Sequence, residues 1–263
     1  MSAPLEGKVA LVTGGTRGIG RASATELGRL GAAVVVTGTT ESSVDAGVRA
    51  LKDAGLAQVD GRIVDVREQN SIEALFDGLV ADYGRVDVLV NNAGVGGGGP
   101  TSQIPYEVWE RLIDINLNGA FRTTRTWLLR SGAVERGWGR VINIASTGGK
   151  QGVVLAVAYT ASKHGVVGMS KSLAIELAPR GITVNAVCPG FVETELSQGA
   201  RGRYAAAWGI TPEEVLAKQN ARFPLGRHVR PDEVARMVGF LAVPAAEAVT
   251  GQAVNVCGGL GLY

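Results

Sequence analysis

The sequence predicts an α/β fold of the Rossmann type: a doubly wound parallel sheet of seven strands with helices on both faces. Short apolar runs alternate with longer helix-like segments along all 263 residues, which is typical of buried parallel strands joined by crossover helices. The first run, residues 8–13, leads into a glycine-rich turn and then into a helix. The length suits one large domain, residues 1–263, and leaves little room for two.

Composition and charge argue against several classes of function. Hydrophobic residues make up 46% of the chain and charged residues 19%, which is ample material for a core. A net charge of +2 gives no support to nucleic-acid binding. No apolar run approaches the ~20 residues of a membrane span, so we expect a cytoplasmic protein. Two cysteines, Cys188 and Cys257, and two histidines, His164 and His228, are too few for a disulfide framework or a metal site.

The first candidate site is the glycine-rich turn at residues 14–20, between the strand at 8–13 and a helix at 21–30. A strand, a glycine turn and a helix in this order are the setting in which such a motif binds a dinucleotide. Small residues let the backbone close on a pyrophosphate, and the helix N-terminus supplies free N–H groups and the positive end of a dipole. The candidate cofactor contacts of this turn are Gly14, Thr16, Arg17, Gly18, Ile19 and Gly20.

The residues at the end of the second strand, predicted at 33–37, indicate whether the cofactor is NAD or NADP. NAD enzymes usually place an acid there to bind the ribose hydroxyls, whereas residues 38–40 are uncharged and the first acid is Glu41. A carboxylate would repel a 2′-phosphate, and Arg17 in the glycine turn can supply a positive charge to it. We therefore predict NADPH as the cofactor, with Thr39 as a contact. The alternative for Arg17 is a solvated loop charge.

Two further strand ends add cofactor contacts. The third strand is predicted at residues 61–66, and its Asp65 could accept a hydrogen bond from the adenine amino group or could simply cap the next turn. The fourth strand, at 86–90, runs into an Asn-Asn-Ala-Gly turn whose small residues can pack against the nucleotide. The amides of that turn can tie neighbouring strands together. The contacts predicted here are Asp65, Val66, Asn92, Ala93 and Gly94.

A long helix predicted at residues 107–129 is interrupted around Asn116, where two asparagines and a glycine lower its helix propensity. The break could free a backbone carbonyl to bind water, or it could be a tolerated kink. The interruption is therefore a candidate functional feature with a purely structural alternative.

The segment from Ser146 to Lys163 carries the candidate chemistry. Tyr159 and Lys163 are four residues apart in a helix predicted at 159–178, so both lie on one face. A nearby ammonium would stabilise the phenolate and lower the pKa of Tyr159 below its usual value near 10, which suits a general acid near neutral pH. Ser146 follows a fifth strand at 140–145 and could aim its hydroxyl at the same place. Taken alone, the Tyr-x-x-x-Lys spacing also fits a surface pair.

One irregular segment, residues 195–230, follows the sixth strand at 182–187 and precedes the seventh at 253–256. It is rich in Gly, Arg and aromatic residues. After the sixth strand it would hang over the carboxyl ends of the strands, where ligands bind in this architecture. We predict a substrate lid with an apolar slot; the alternative is an ordinary surface excursion. The aromatic residues that could line the slot are Tyr204, Trp208 and Phe223.

Together, these motifs resemble the short-chain dehydrogenase/reductase family over the whole chain. The matching pieces are the glycine turn, Asn-Asn-Ala-Gly at 91–94, Asn116, Ser146, Tyr159-x-x-x-Lys163 and Pro189-Gly190, in the family's order. The resemblance implies that Tyr159 is the general acid and that Ser146 donates a hydrogen bond to the substrate carbonyl. Lys163 would hold the nicotinamide ribose and depress the pKa of Tyr159. Asn116 would hold a water that links Lys163 to solvent.

A narrower resemblance, carried by residues 146–154, 162–168, 185–194 and 255–261, is to the ketoreductases of bacterial aromatic polyketide synthases. It implies a homotetramer that uses NADPH to reduce one ketone of a poly-β-ketone on an acyl carrier protein. The best-known members have Pro-Gly-Gly where residues 96–98 of this chain are all glycine. This loop, which borders the substrate in those enzymes, therefore differs from their pattern. Further cofactor contacts implied are Pro189, Gly190, Val192 and Thr194. The substrate contacts implied are Gly96, Gly97, Gln151, Val153, Val154 and Tyr204.

Two other functions share parts of this pattern. A 3-oxoacyl-[acyl-carrier-protein] reductase of the fatty-acid type has the same site and cofactor, although its linear substrate needs less room under the lid. A nucleotide-binding regulator without catalysis would need a broken site, whereas all four candidate catalytic residues are present. Docking of a carrier protein could use Arg130 and Arg136, but a solvated helix end explains these arginines equally well.

Overall fold

The computed structural model describes residues 2–263 and places seven parallel strands in one sheet. The strand order is β3-β2-β1-β4-β5-β6-β7, so the chain reverses direction across the sheet between β1 and β4. The predicted fold class is confirmed. The strands are β1 Val9–Val12, β2 Ala33–Gly38, β3 Val59–Ile63, β4 Val88–Asn91, β5 Gly139–Ile144, β6 Ile182–Pro189 and β7 Ala253–Val256.

Ten α-helices are present in the described part of the chain, and they cover both faces of the sheet. Helices α1 and α10 pack together on one face, while α3 and α5 pack together on the other, with α4 against α7. The helices are α1 Gly18–Arg29, α2 Glu41–Asp53, α3 Gln69–Tyr83, α4 Tyr106–Ile113, α5 Gly119–Arg130, α6 Ala133–Arg136, α7 Val157–Leu177, α8 Glu195–Trp208, α9 Pro212–Asn220 and α10 Pro231–Ala242.

The core lies on both sides of the sheet because successive strand residues point to opposite faces. In β1, Ala10 and Val12 belong to the cluster under α1 and α10, whereas Leu11 belongs to the cluster that contains Phe76 and Trp127. All five side chains are fully buried. A strand buried on both faces needs a continuous apolar run rather than an alternating one, which is why these strands were readable from the sequence.

The predicted interruption of the long helix is a π-helical segment. Residues Asp114–Asn118 form the π turn between α4 and α5, and the backbone at both junctions keeps helical dihedral angles. Asn116, the residue at its centre, is buried. π turns appear mostly as single turns within α-helices, often at functional sites.

Two expectations about local structure were wrong. The lid segment, residues 195–230, is not irregular, because α8 and α9 occupy most of it. Each helix has a threonine cap, Thr194 and Thr211, whose side chain accepts a backbone N–H of the first turn. The third strand starts two residues and ends three residues earlier than predicted, since its pairing with β2 ends where Gly38 meets Ile63. Asp65 and Val66 therefore follow the strand instead of ending it.

Among residues 2–263, no helix is long and apolar enough to cross a membrane.

Candidate active site

The site is built at the carboxyl ends of β1 and β4, where the direction of the chain across the sheet reverses. The side-chain amide of Asn92 donates to the carbonyl oxygens of Thr13, at 2.9 Å, and Gly14, at 3.0 Å. The Thr13 hydroxyl accepts from the backbone N–H groups of Asn92 and Ala93, each at 3.0 Å. These bonds hold the Asn-Asn turn against the glycine turn. The amides tie neighbouring strands together, as predicted.

The glycine turn fits a dinucleotide because its backbone is closely packed and its helix end is free. A Cβ atom on Gly20 would lie 2.4 Å from both the Asn92 amide nitrogen and the Gly14 oxygen, so no larger residue fits there. Arg17, the N-cap residue of α1, makes no side-chain cap hydrogen bond. The first-turn N–H groups of α1 are thus left for an outside acceptor, and a pyrophosphate would meet them together with the positive end of the helix dipole.

Three candidate catalytic residues line one cavity of about 790 Å³ at this edge of the sheet: Ser146, Tyr159 and Lys163. Ser146 lies two residues after the end of β5, and Tyr159 and Lys163 lie on the first turns of α7. The Ser146 oxygen accepts from the backbone N–H of Gly148 at 3.0 Å. Since that bond uses a lone pair, the Ser146 hydroxyl keeps its proton for another oxygen, either that of Tyr159 or that of a ligand.

The pKa of Tyr159 is shifted in the direction opposite to the one expected. Burial raises it, and a side-chain hydrogen bond with Ser146 opposes part of the rise. Lys163 is also buried, which lowers the pKa of its ammonium from 10.5 to about 8. Its nitrogen lies 5.8 Å from the centre of the Tyr159 ring and donates to the Ile144 carbonyl at 2.8 Å. In this structure, desolvation of the phenol therefore outweighs its hydrogen bond with Ser146, and Lys163 is not among the groups that lower the pKa of Tyr159.

Asn116 lies behind the cavity and connects two parts of the site. Its side-chain amide pairs with both backbone groups of Val95, accepting from the N–H at 2.8 Å and donating to the carbonyl at 3.0 Å. It also donates to the Ser162 hydroxyl at 3.2 Å. Ser162 in turn donates to the Tyr159 carbonyl at 2.7 Å. The loop that begins at Val95 is thereby linked to the helix that carries Tyr159.

Comparison with known proteins identifies the family. A family model described as enoyl-(acyl carrier protein) reductase, one of the short-chain dehydrogenase models, matches residues 14–261. The chain belongs to the short-chain dehydrogenase/reductase family. It is therefore an oxidoreductase that interconverts a carbonyl group and an alcohol.

Several relatives within this family cover almost the whole chain. A protein of Streptomyces virginiae, described as a ketoacyl reductase of the monensin polyketide synthase, is 54% identical over 97% of this chain and 98% of its own length. A ketoacyl reductase of Streptomyces coelicolor is 52% identical over 98% of each. A crystal structure of a variant actinorhodin polyketide ketoreductase with NADPH superimposes with a TM-score of 0.95, at 51% identity over 100% of both chains. The 3-oxoacyl-[acyl-carrier-protein] reductase of Vibrio cholerae is more distant, 39% identical over 97% of this chain and 98% of its own length.

The structure brings many of the other predicted residues of this family member to the same cavity. Of the predicted cofactor contacts besides Tyr159 and Lys163, those lining it are Ile19, Asn92, Gly94, Pro189, Gly190, Val192 and Thr194. Of the predicted substrate contacts, those lining it are Gly96, Gly97, Val153, Val154 and Tyr204. The predicted residues not on its wall are Gly14, Thr16, Arg17, Gly18, Gly20, Thr39, Asp65, Val66, Ala93, Asn116 and Gln151.

Some residues off the cavity wall have other partners. The Asp65 carboxylate accepts from the backbone N–H of Arg67 at 3.0 Å and from its guanidinium, which lowers the pKa of Asp65. This is the turn-capping arrangement that was one of its two alternatives. The Arg17 guanidinium contacts the Glu195 carboxylate at the start of α8, so this exposed loop charge has a partner within the chain. A Cβ atom on Gly119 would lie 2.8 Å from Val66, which places Val66 against the start of α5.

Gln151 lines a second cavity of about 230 Å³, which shares Val153, Val154, Tyr204 and other wall residues with the first. Its neighbour Lys150 does not face a substrate. The Lys150 ammonium donates to the Ala253 carbonyl at 3.1 Å, the Asn255 side-chain oxygen at 3.1 Å and the Tyr263 carbonyl at 2.7 Å. Lys150 therefore ties β7 to the last residue of the chain.

The lid segment forms one wall of the cavity through α8. The α8 residues that line the cavity recur at helical spacing in the sequence. Gly199 and Gly202 lower the helix propensity of this segment, so the pattern was not recognised as a helix. Tyr204 and Trp208 face the cavity as predicted. Phe223 does not line it, since it is buried among the core residues and packs on Phe191. The α8 residues that the sequence reasoning missed are Leu196, Ser197, Ala200, Arg203, Ala206 and Ala207.

The glycine loop opposite α8 is fixed by close backbone contact with Leu155. The Gly99 N–H donates to the Leu155 carbonyl at 2.8 Å, and a Cβ atom on Gly98 would lie 1.9 Å from that oxygen. Leu155 itself has a φ of 58°, the one positive value at a non-glycine residue between residues 2 and 263. Leu155 lines the cavity, although no feature of the sequence indicated that it would.

Proposed function

We propose that this protein is an NADPH-dependent ketoreductase that reduces a ketone of an acyl-carrier-protein-bound poly-β-ketone to a secondary alcohol in aromatic polyketide biosynthesis. The observation that carries the proposal is the meeting of Ser146, Tyr159 and Lys163 in a cavity of about 790 Å³. The similarity of more than half of the residues to reductases of polyketide synthases supports the substrate class. The NADPH in the actinorhodin ketoreductase structure supports the cofactor.

NADPH, when bound along the glycine turn, would supply hydride to the carbonyl carbon. The residues of this chain hold the carbonyl oxygen and provide the proton. Ser146 donates its hydroxyl proton in a hydrogen bond to that oxygen, in place of its bond with Tyr159, and this polarises the carbonyl. Because burial raises the pKa of Tyr159, the phenol stays protonated at neutral pH and can transfer its proton to the developing alkoxide. Lys163 would hold the nicotinamide ribose beside it.

The similarity to reductases of polyketide synthases supports a bulky substrate over a short linear one. The cavity of about 790 Å³ is lined by predicted cofactor contacts as well as substrate contacts, so the nicotinamide would take part of its volume. We expect higher kcat/KM with the bicyclic ketone trans-1-decalone than with an acetoacetyl thioester. NADPH oxidation at 340 nm, with each ketone in turn, measures this ratio. A clear preference for the thioester would replace the polyketide assignment with the fatty-acid one.

A 3-oxoacyl-[acyl-carrier-protein] reductase of the fatty-acid type is the second candidate. It is favoured by the 39% identity with the Vibrio cholerae enzyme of that name and by a catalytic set that both reactions require. Loading the carrier protein of each pathway with its own β-ketoacyl chain provides a direct competition. We expect the polyketide carrier to be the better substrate.

The carrier protein is also the proposed partner, and the two arginines considered for its docking have other contacts in the structure. Arg130 contacts the carboxylates of Glu73 and Asp77, and Arg136 lies 3.4 Å from Asp87. Both arginines thus have acidic partners within the chain. Neither arginine therefore supports docking of a carrier protein more than any charged residue at a helix end would.

We further propose a homotetramer in the cytoplasm. Large apolar side chains lie exposed on α5 and α7, among them Phe121 and Ile175, which is 82% exposed. Both cysteines are unpaired, which suits a reducing compartment. Ile175→Glu should reduce the assembly mass in sedimentation equilibrium, whereas Ile63→Glu, an equally apolar surface change on the edge strand β3, should leave it unchanged. A monomeric wild-type protein would refute the assembly.

A further inference from the structure

The start of α8 contacts the glycine turn through an ion pair. Glu195, the first residue of α8, contacts the guanidinium of Arg17, the N-cap residue of α1, although 178 positions separate them in the chain. Both side chains are exposed, at 67% and 73%. An exposed pair of this kind can be opened at little cost, because water solvates both charges.

The neighbours of Glu195 show that this contact lies at the edge of the cofactor and substrate cavity. Thr194, which caps α8, lines the cavity, and its methyl carbon would lie 3.4 Å from a Cβ atom on Gly18. Leu196 also lines the cavity and would lie 3.1 Å from a Cβ atom on Gly96. Glu195 is therefore held between the two glycine loops, with its carboxylate on the side of the cofactor turn.

A 2′-phosphate would have to share Arg17 with this carboxylate. Residues 38–40, at the end of β2, contain no charged side chain, so that strand end offers no cation to the phosphate. Arg17 does, and its guanidinium geometry matches phosphate as well as carboxylate. A phosphate with nearly two negative charges and a carboxylate repel each other when they meet at one guanidinium.

We propose that Glu195 is a cofactor-specificity residue that competes with the 2′-phosphate of NADPH for Arg17. Displacement of the carboxylate lowers the affinity for NADPH, while NADH, which lacks the phosphate, leaves the ion pair intact. The inference rests on the proposed function, since it takes Arg17 as the phosphate ligand. It assigns to the lid helix an effect on cofactor choice that is separate from its role as a cavity wall.

The test compares cofactor affinity in two variants with the same loss of charge. Glu195→Gln should bind NADPH about threefold to fivefold more tightly than the wild type in a fluorescence titration, with the dissociation constant for NADH changed by less than about 1.5-fold. Glu193→Gln is the matched control, because Glu193 faces His228 at 3.5 Å instead of Arg17. An equal gain for NADPH in both variants would reduce the effect to general charge, and no gain in Glu195→Gln would overturn the proposal.

A second background separates this inference from the proposed function. In Arg17→Ala, NADPH and the fragment 2′,5′-ADP should bind more weakly, while NADH and 5′-AMP should bind as before. Adding Glu195→Gln to Arg17→Ala should then give no gain. If Arg17→Ala weakens both cofactors equally, the phosphate assignment itself fails. Arg17→Ala could behave as expected while Glu195→Gln raises the affinity for NADPH as much in the Arg17→Ala background as in the wild type. In that case only the proposed competition for Arg17 is refuted.

Discussion

Lys163 donates a hydrogen bond to the carbonyl oxygen of Ile144 at 2.8 Å. This contact ties the catalytic helix α7 to the end of β5, directly before the residues that lead to Ser146. The ammonium is thereby fixed at the base of the cavity and faces a neutral partner instead of an acid. Burial without a countercharge is what lowers the pKa of Lys163 to about 8.

The catalytic role of Tyr159 predicts a selective loss of turnover. Tyr159→Phe removes the proton donor and leaves the ring, so we expect NADPH binding to be kept and kcat to fall by about 100-fold or more. Initial rates with trans-1-decalone and a fluorescence titration of NADPH measure the two effects. Tyr83→Phe is the control, since the Tyr83 hydroxyl bonds to Asp60, at 3.3 Å, away from the cavity. More than a tenth of wild-type turnover in Tyr159→Phe would rule out the assignment.

The buried Lys163 predicts a particular dependence of stability on pH. A pKa lowered from 10.5 to about 8 means that the unfolded chain binds the proton more tightly than the folded one. The free energy of unfolding of the wild type should therefore rise between about pH 8 and pH 10.5, by on the order of 3 kcal/mol from this group.

Lys163→Met has no buried ammonium and so lacks this pH-dependent contribution to the free energy of unfolding. It should be more stable than the wild type at pH 7 and lose that advantage as the pH approaches 10. Urea unfolding of both proteins at several pH values measures the difference. Lys171→Met, a change at an exposed position of the same helix, should show no such convergence. A difference between Lys163→Met and wild type that stays constant with pH would contradict the buried-charge account.

The Asn116 amide should matter for both stability and activity. Asn116→Ala leaves both backbone groups of Val95 and the Ser162 hydroxyl without this partner, which should cost about 2–4 kcal/mol in the free energy of unfolding. Turnover should fall as well, because the helix carrying Tyr159 loses its link to the loop. Asn118→Ala, which removes one contact with Asp114 in the same π turn, is the matched control and should cost less than about 1 kcal/mol.

Gly98, on the wall of the main cavity, and Gly152, on the wall of the second cavity, offer a further matched pair. A Cβ atom on Gly98 would lie 1.9 Å from the Leu155 oxygen, so Gly98→Ala must move the loop and should destabilise the protein by about 1–3 kcal/mol. Its kcat/KM for the bicyclic ketone should fall more than that for a short thioester. A Cβ atom on Gly152 would meet nothing within 4 Å, and Gly152→Ala should leave both quantities near wild type. Equal effects of the two changes would contradict this account of the loop.

The fold was predictable because its signals are local. The strands β1, β2 and β4 are almost entirely apolar runs, and the glycine turn of residues 14–20 follows the first of them. Tyr159 and Lys163 were found for the same reason, since a spacing of four residues places two side chains on one face of any helix. The π turn at Asn116 also had a local signal in its poor helix formers.

The rest depended on contacts between distant parts of the chain. The pairing of Arg17 with Glu195 spans 178 positions and has no local signal. The direction of the pKa shift of Tyr159 depends on how completely the surrounding elements exclude water, which the spacing of Tyr159 and Lys163 does not contain. In α8, the glycines obscured the helical pattern in the sequence. The structure shows the helix, in which the rings of Tyr204 and Trp208 pack against each other.

The π turn also sets the direction in which the long helix faces its neighbours. A π-type hydrogen bond spans one residue more than an α-type bond, so each such turn advances the side-chain pattern by one position, or about 100° around the helix axis. This offset lets α4 pack on α7 while α5 packs on α3. Deleting one residue from Asp114–Asn118 would restore a regular helix and misdirect one of these two halves. The turn thus fixes the angular phase between the half that packs on the catalytic helix α7 and the half that packs on α3.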